Sequence, residues 1–450
     1  MTLIDPTVER IEAGFRELLQ EVNATSASTR AGWLFFLGLQ AYFFVTLAGI
    51  GHRDLLLDKP LTLPILEAQV NLTGFFLFAP LIPLMVHLGV LIQHVQLARQ
   101  CRELHRRIAI FEGASLFRAH RHRMHLNSYF FTQLIAGGPR GGLFAFFMAL
   151  IAWQTLGLLP VILLLDFQTS FLPVHNLDVT WPQRAYVVLD VVLLAIFAVY
   201  MRYPTASFVS GFGRTIVERP FSFLLAGILM VGAMFFSLSV ATIPDEQMDR
   251  VMTVLMPAPV PFDDAGAVVG AAAEPRQAFL PTAYLFERGI DPLSGRPLGF
   301  FARNLILTDA DLVPGGPETG AGEAGANLRR RDLRYATLDR SDMRNADLTG
   351  ALLTWASLRE TNLAGARAEK AVFRGADLWR AKFAVPAGAI SSGPVGGIDM
   401  RGADLRGANL SEANLQGADL TGALFEGADL RAAQMDPEDA AEATRQGAKF

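Results

Sequence analysis

Ala326-Asn327-Leu328, Ala346-Asp347-Leu348, Ala376-Asp377-Leu378, Ala403-Asp404-Leu405, Ala408-Asn409-Leu410, Ala418-Asp419-Leu420 and Ala428-Asp429-Leu430 repeat one pattern through the last quarter of the chain: a small residue, then Asp or Asn, then Leu. The central residues recur every five positions from Leu328 to Phe383, lapsing only at Ala368, and resume from Met400 to Leu430. A period of five matches neither a helix, at about 3.6, nor a flat strand, at about 2. It matches a coil with four short sides, each pentapeptide forming one side and its corner. Four pentapeptides then close one turn of about 20 residues, and turns stack at roughly the inter-strand spacing of 4.8 Å. The central Leu or Phe points inward, and the residue two before it turns inward where only Ala, Ser or Thr fits.

With these residues in place, the stretch from about 326 to 436 resembles the pentapeptide-repeat family. The resemblance implies an all-β right-handed quadrilateral β-helix, a rigid rod that acts as a scaffold and supplies no chemistry by itself. The repeat begins near Asn304-Leu305 and Ala310-Asp311-Leu312, so the rod is expected over 301–436. Two irregular stretches, 313–325 and 386–397, read as loops thrown out of it, and 437–450 as a C-terminal helical cap beginning at Asp436-Pro437-Glu438-Asp439.

The rest of the 450 residues is of another kind. Hydrophobic residues make up 51% of the chain and mean hydropathy is +0.31, too apolar for an ordinary soluble protein. Five stretches, about 32–50, 72–96, 142–166, 185–201 and 221–243, are long enough, or nearly so, to cross about 30 Å of hydrocarbon as helices. The expected fold is therefore a multi-domain membrane protein: an all-α transmembrane bundle over 31–243, with a cytoplasmic helical loop at 98–141, followed by the rod. An amphipathic helix precedes the bundle at 1–30, and a Pro/Ala-rich linker, 244–300, joins bundle to rod. Loop 98–141 holds eight arginines, whereas the two loops on the other side carry Arg53 and Lys59, with Arg184 at a span edge. The positive-inside rule makes the N-terminus cytoplasmic, and five spans then put the β-helix outside, on a bacterial inner membrane. Glu9, Glu12, Glu17 and Glu21 exclude a cleavable signal peptide, and one cysteine, Cys101, excludes an internal disulfide framework.

Val8, Ile11, Phe15, Leu18 and Val22 follow one helical seam, and Val90, His94, Leu97, Cys101, Leu104, Ile108 and Phe111 another. The second span should continue as one helix to Glu112-Gly113, and the two seams should pack, either within one subunit or between copies. The apolar half also resembles a widespread group of bacterial membrane proteins that carry pentapeptide repeats, through His52-Arg53-Asp54-Leu55-Leu56-Leu57, Leu63-Pro64-Ile65-Leu66 and Phe171-Leu172-Pro173-Val174-His175 with Thr180-Trp181. That group supplies no settled activity to carry over.

Asp190 is the only acid well inside an expected span, where an ionisable group is expensive unless paired or wet. His87 and Gln154-Thr155 are its candidate partners. Asp190, His87, His94 and Gln154 thus form an intramembrane polar site, read either as a helix-orienting bond or as an ion or proton path. His120, His122 and His125 are weak metal candidates, since neighbouring arginines repel a cation and no carboxylate or Cys cluster completes the set. Gly137-Gly138-Pro139-Arg140-Gly141-Gly142 lacks the Lys-Ser/Thr of a phosphate loop. Neither a nucleophile motif nor paired catalytic carboxylates are found, so a non-enzymatic protein without cofactors is expected.

On the rod, residues 20 apart should share a face. Arg340, Glu360 and Arg380 should form a ladder, as should Asp339, Arg359 and Trp379, with Tyr335 beneath Trp355. This face is a candidate docking surface, since aromatics and Arg are enriched at hot spots. Residues 326–382 hold 12 Lys or Arg against 7 Asp or Glu, and residues 383–436 hold 3 against 7. Mimicry of DNA by soluble members of the family needs a continuously acidic surface, which the first coils lack. A net charge of -4 gives no nucleic-acid signature either. The expected role is a membrane-anchored scaffold with lipid, homo-oligomeric and protein partners. The alternative is an oligomeric channel or transporter assembled or gated by the rod.

Overall fold

The structure is a computed structural model that describes residues 6–64, 67–114, 125–136, 142–259, 277–286, 301–313, 325–384 and 397–450. Among the described residues, five helical stretches are long and apolar enough to cross a membrane: Gly14–Ala48, Leu72–Ile108, Gly142–Val174, Leu177–Arg202 and Pro220–Val240. The first belongs to helix α1, Pro6–Ala48, which runs unbroken past residue 30. The amphipathic segment is thus continuous with the first of these stretches, as its N-terminal part. After α2 (His52–Leu57) and a two-stranded ribbon of β1 (Leu61–Thr62) and β2 (Gln69–Val70), the second stretch is built from α3 (Leu72–Phe78) and α4 (Leu81–Ala114). Helix α4 extends beyond the apolar region, as its seam predicts.

Phe15, Leu19 and Val22 of α1 are buried with Leu97, Ala98, Cys101, Leu104 and Ile108 of α4, and the short α5 (Phe130–Ala136) closes the same cluster. The two seams therefore cover each other within one subunit. The third stretch is not one regular helix. Helix α6 (Gly142–Trp153) passes through a wide π turn at Gln154–Leu158 into α7 (Leu159–Phe171). Helix α8 (Leu177–Arg202) is the fourth span. The amphipathic α9 (Phe208–Glu218) precedes α10 (Pro220–Phe235), which runs at its C-terminal end into a second π turn, Phe236–Val240.

Beyond the fifth span the chain does not become a simple linker. Residues Gln247–Leu255 form α11, Pro257–Pro259 and Gln277–Phe279 pair as antiparallel strands β3 and β4, and Leu280–Phe286 form α12. Met252, Phe279 and Phe286 pack onto Leu172, Val240, Ala241 and Ile243 at the end of the bundle. The prolines break longer helices, but enough apolar residues remain to bury a satellite core.

The rod follows the five-residue rule closely. Asn327 pairs with Asp347, Asp332 with Leu352, Thr337 with Ser357 and Asp342 with Asn362, so each coil of four sides advances 20 residues in parallel register. One ladder residue per side leaves bridges in place of extended strands. The centres Leu328, Leu338, Leu348, Leu358, Phe373 and Phe383 and the small residues before them are buried. Buried Ser341 and Thr361 donate to the Leu307 and Leu338 carbonyls at 3.0 Å, which satisfies their hydroxyls. The ladder spacing widens twice: Ile306 pairs with Thr337 and Arg367 with Asp399. The extra residues belong to the two expected loops, whose chains at 314–324 and 385–396 lie outside the described residues. Both leave between the side centred on Met343 and its successor. Helix α13 (Pro437–Arg445) caps the last coil, with Gln446 bonded to the Phe425 amide and Ala423 carbonyl.

Candidate functional site

Inside the bundle, α7 begins with Leu159 followed by Pro160. Proline has no N–H, so the carbonyl four residues earlier, that of Leu156 in the π turn, loses its helical donor. His87 of α4 fills that gap, its Nε2–H donating to the Leu156 carbonyl at 3.0 Å. Its other nitrogen, Nδ1, lies 2.6 Å from Asp190 Oδ1 on α8. Since Nε2 carries its own proton, the Nδ1–Oδ1 contact holds one more, shared between imidazole and carboxyl. Phe36 of α1 stacks on the ring at 5.1 Å between centroids, so four helices meet on this histidine. Asp190 is fully buried, and its Oδ2 has no hydrogen-bond partner among the described residues.

The other expected members of that site lie elsewhere. His94 donates from Nδ1 to the Val90 carbonyl at 2.7 Å, which leaves Nε2 to accept from the Tyr129 hydroxyl at 2.8 Å. Gln154 is exposed, turned away by the π turn, while Thr155 accepts from the Trp33 indole at 3.0 Å. His125 is exposed, and its carbonyl accepts from Asn23 at 2.9 Å. His120 and His122 lie outside the described residues. Among the described residues no group of His, Cys, Asp and Glu has the arrangement of a metal site.

A second polar constellation, at the base of the rod, was missed as a unit by sequence reasoning. Arg303 is buried and donates to Asp249 of α11 at 2.9 Å, and Arg184 of α8 is buried and donates to Glu246 at 2.8 Å. Asp245 accepts from Arg334 at 3.3 Å and from the Tyr335 hydroxyl at 2.8 Å. His175 donates to the Arg303 carbonyl at 2.9 Å and places Nδ1 3.5 Å from Asp332. Burial works against the Asp332 charge, but His175 and Arg334 outweigh it and hold the carboxyl well below its usual range. From α2, His52 Nδ1 accepts the Ile306 amide at 2.9 Å, and the Leu56 carbonyl accepts Arg331 at 3.2 Å. Burial pushes the His52 pKa down, which favours the neutral ring this bond requires. The apolar core is continuous across the same boundary, from Phe43, Leu47, Leu55 and Phe167 to Leu305, Leu312 and the rod interior. The signal available beforehand was in two places: Arg184 at the edge of one apolar stretch, and the acids Asp245, Glu246 and Asp249 just past another.

On the rod the expected face is divided. Tyr335 is turned to Asp245 and belongs to the base. Trp355 lies over Gly375, where even a Cβ would come within 2.5 Å of its ring. The ladder through Glu360 gives way to other pairs. Arg340 binds Asp309 in the coil below at 2.7 Å, and Arg380 binds Glu412 in the coil above at 2.6 Å. Asp339 accepts the Arg359 amide at 3.0 Å, and Arg359 and Arg380 lie 4.9 Å and 4.3 Å from the centre of the Trp379 ring. That half-exposed Arg–Trp–Arg stack is what remains of the expected docking face. Many other arginines are committed within their own pentapeptide, as in Arg334 to Asp332, Arg344 to Asp342, Arg406 to Asp404 and Arg431 to Asp429.

Comparison with known proteins bears on the rod alone. The pentapeptide repeats family is matched in eight copies over residues 324–359, 351–384 and 397–435. Among solved structures, HetL, a pentapeptide repeat protein involved in heterocyst differentiation regulation from the cyanobacterium Nostoc sp. strain PCC 7120, is 35% identical. That match covers 28% of this chain and 56% of HetL, with a TM-score of 0.23, so the chain spans little more than half of that protein. Another pentapeptide repeat protein of Nostoc PCC 7120 is 30% identical over 27% of this chain and 83% of its own, with a TM-score of 0.12. A pentapeptide repeat protein of the Arabidopsis thaliana thylakoid lumen is 25% identical over 29% and 83%, with a TM-score of 0.16. No curated protein matches the chain. The repeated pentapeptides, their ladder and the eight matched copies agree, and through residues 324–435 the chain belongs to the pentapeptide-repeat family.

Proposed function

We propose that the protein is a membrane-anchored interaction scaffold, in which the bundle holds the rod by its first coil and leaves the remaining coils and both loops free for a protein partner. The observation that carries this reading is the base of the rod. Its bonds to the bundle and to the Asp245–Asp249 segment come from residues 303–335, include the fully buried Arg303, and sit on a continuous apolar core. A rod gripped so firmly at one end is a spacer that fixes where its far surfaces stand. The loops that meet the rod are those poor in arginine, which supports a cytoplasmic N-terminus and a rod outside a bacterial inner membrane. A single thiol at Gln416→Cys, in a Cys101→Ser background, tests that placement. It should react with a membrane-impermeant reagent in intact cells, and protection until lysis would put the rod inside. For the scaffold itself, a photo-crosslinking residue at exposed Arg374, one pentapeptide before Trp379, should yield one adduct of defined mass that disappears with Trp379→Ala. Absence of adducts from every face and both loops would sink the reading.

A second reading, an ion or proton path through the bundle, is favoured by one observation: the Oδ2 of Asp190, which has no hydrogen-bond partner among the described residues, beside a broken helix. It requires that Asp190→Asn abolish flux in proteoliposomes that the parent protein supports.

A further inference from the structure

We propose that α11 is a lipid-binding foot, seated in the leaflet on the rod's side of the membrane, and that the same helix sets the attitude of the rod. Its outer face carries Val251, Val254 and Leu255, which are 53%, 82% and 66% exposed, and runs on into exposed Met256. Its inner face is fixed: Asp249 is buried against Arg303, and Met252 packs into the satellite core. The helix therefore cannot roll to hide its apolar side, and something must cover it.

The fold indicates what covers it. The fifth span, Pro220–Val240, is 21 residues long, which at a rise of about 1.5 Å per residue comes to roughly 30 Å, the thickness of the hydrocarbon. Helix α11 starts seven residues past Val240, at the level where acyl chains give way to headgroups. The span itself is exposed in the same way, at Leu224, Ile228 and Val231 of α10. At the other end of the same span, α9 is placed in the same way, with Val209 and Val217 about four-fifths exposed. Two short amphipathic helices at the two ends of one membrane-length helix are arranged as interfacial helices are. The occupant assigned to the α11 face is phospholipid, with the Val and Leu side chains among the acyl chains and exposed Arg250 within reach of phosphate.

The consequence lies on the helix's other side. The segment from Asp245 to Asp249 supplies the carboxylates that bind Arg334, Tyr335 and Arg303 of the rod and, through Glu246, Arg184 of the bundle. Movement of α11 relative to the bilayer is passed directly to the first coil.

This inference rests on the fifth span lying in the membrane, and the test separates the two. Full-length protein with Cys101→Ser is reconstituted in phosphatidylcholine–phosphatidylglycerol nanodiscs and nitroxide-labelled singly at Val254→Cys, Leu255→Cys, Ile228→Cys on the span and Gln416→Cys on the rod. Labels at 254, 255 and 228 should collide more with oxygen than with a water-soluble nickel chelate, and the label at 416 should do the reverse. If 228 behaves as a lipid site while 254 and 255 behave like 416, the foot is in water and the proposal fails alone. Exclusion of both reagents at 254 and 255, with dipolar broadening between copies, would mean that a second subunit covers the face, and this also overturns it.

Discussion

Each pentapeptide turns its corner at the residue two after its centre, and that residue has a left-handed backbone: φ is +67° at Gly407, +60° at Trp355, +55° at Arg340 and +57° at Ala432. A side chain there costs roughly 1–2 kcal/mol, whereas glycine avoids that cost but gives up about 0.5–1 kcal/mol in chain entropy. Gly407 has open space where a Cβ would be, so Gly407→Ala isolates the backbone effect and should destabilise the rod by about 1 kcal/mol. Ala432→Gly should change stability by less than that and in the opposite direction; both are read from thermal unfolding followed by circular dichroism. The Asp or Asn before each centre has a matching task, since its carboxyl or amide oxygen accepts the amide one past the centre, as in Asp377 to Trp379 and Asp347 to Thr349. This explains why the repeat is readable at all. Inward size, corner conformation and the side-chain cap each restrict one position in five. What could not be read was direction along the rod. Arg340 reaches back to Asp309 and Arg380 forward to Glu412 from corners of the same left-handed conformation, and stacking by sequence offset alone does not contain that choice.

At the level of whole elements, the junction of α6 and α7 shows where periodic reasoning stops. Asp190 and His87 were legible as partners because a buried charge in a span must be matched. Gln154 was not legible as an outsider, because a π turn adds a residue to the helix and rotates everything across it off the regular phase. The pair itself behaves as one unit. His87→Leu should strand the Asp190 carboxyl and cost about 3–5 kcal/mol, as should Asp190→Leu, while the double substitution should recover much of that loss. Unfolding in mixed micelles completes the cycle; equal, additive losses would show that the two residues act independently. The region after the fifth span was misread for a different reason. Its prolines signal interruption, but α11 and the β3–β4 ribbon are short elements held by Asp249, Phe279 and Phe286 onto the bundle, and short segments earn their order from tertiary contacts.

Over the whole molecule, the base of the rod joins charge, apolar burial and one neutral histidine. His52 accepts an amide proton, so its bond exists only with an unprotonated Nδ1. Burial holds its folded pKa below the ordinary histidine value, so its contribution is fully present above the unfolded value and is lost as pH falls through the folded one. Asp332 stays charged through that window. The distance between a spin label on the bundle and one on the rod should therefore broaden as the medium is acidified below the ordinary histidine range. His52→Leu should already be broadened at neutral pH and be insensitive to further acid. The two widened ladder steps, Ile306 to Thr337 and Arg367 to Asp399, carry a last consequence. Both detours leave by the same edge, three coils apart, which at about 4.8 Å per coil places their roots roughly 14 Å from each other. Ladder pairing continues on both sides of each, so this edge accepts foreign sequence without cost to the structure behind it. An epitope inserted between Gly365 and Ala366, on that edge, should leave the melting temperature unchanged. The same insertion between Tyr335 and Ala336 should detach the rod from its base. The molecule thus has a seam along which new specificities can be grafted like cuttings onto a trellis, with the stem left undisturbed.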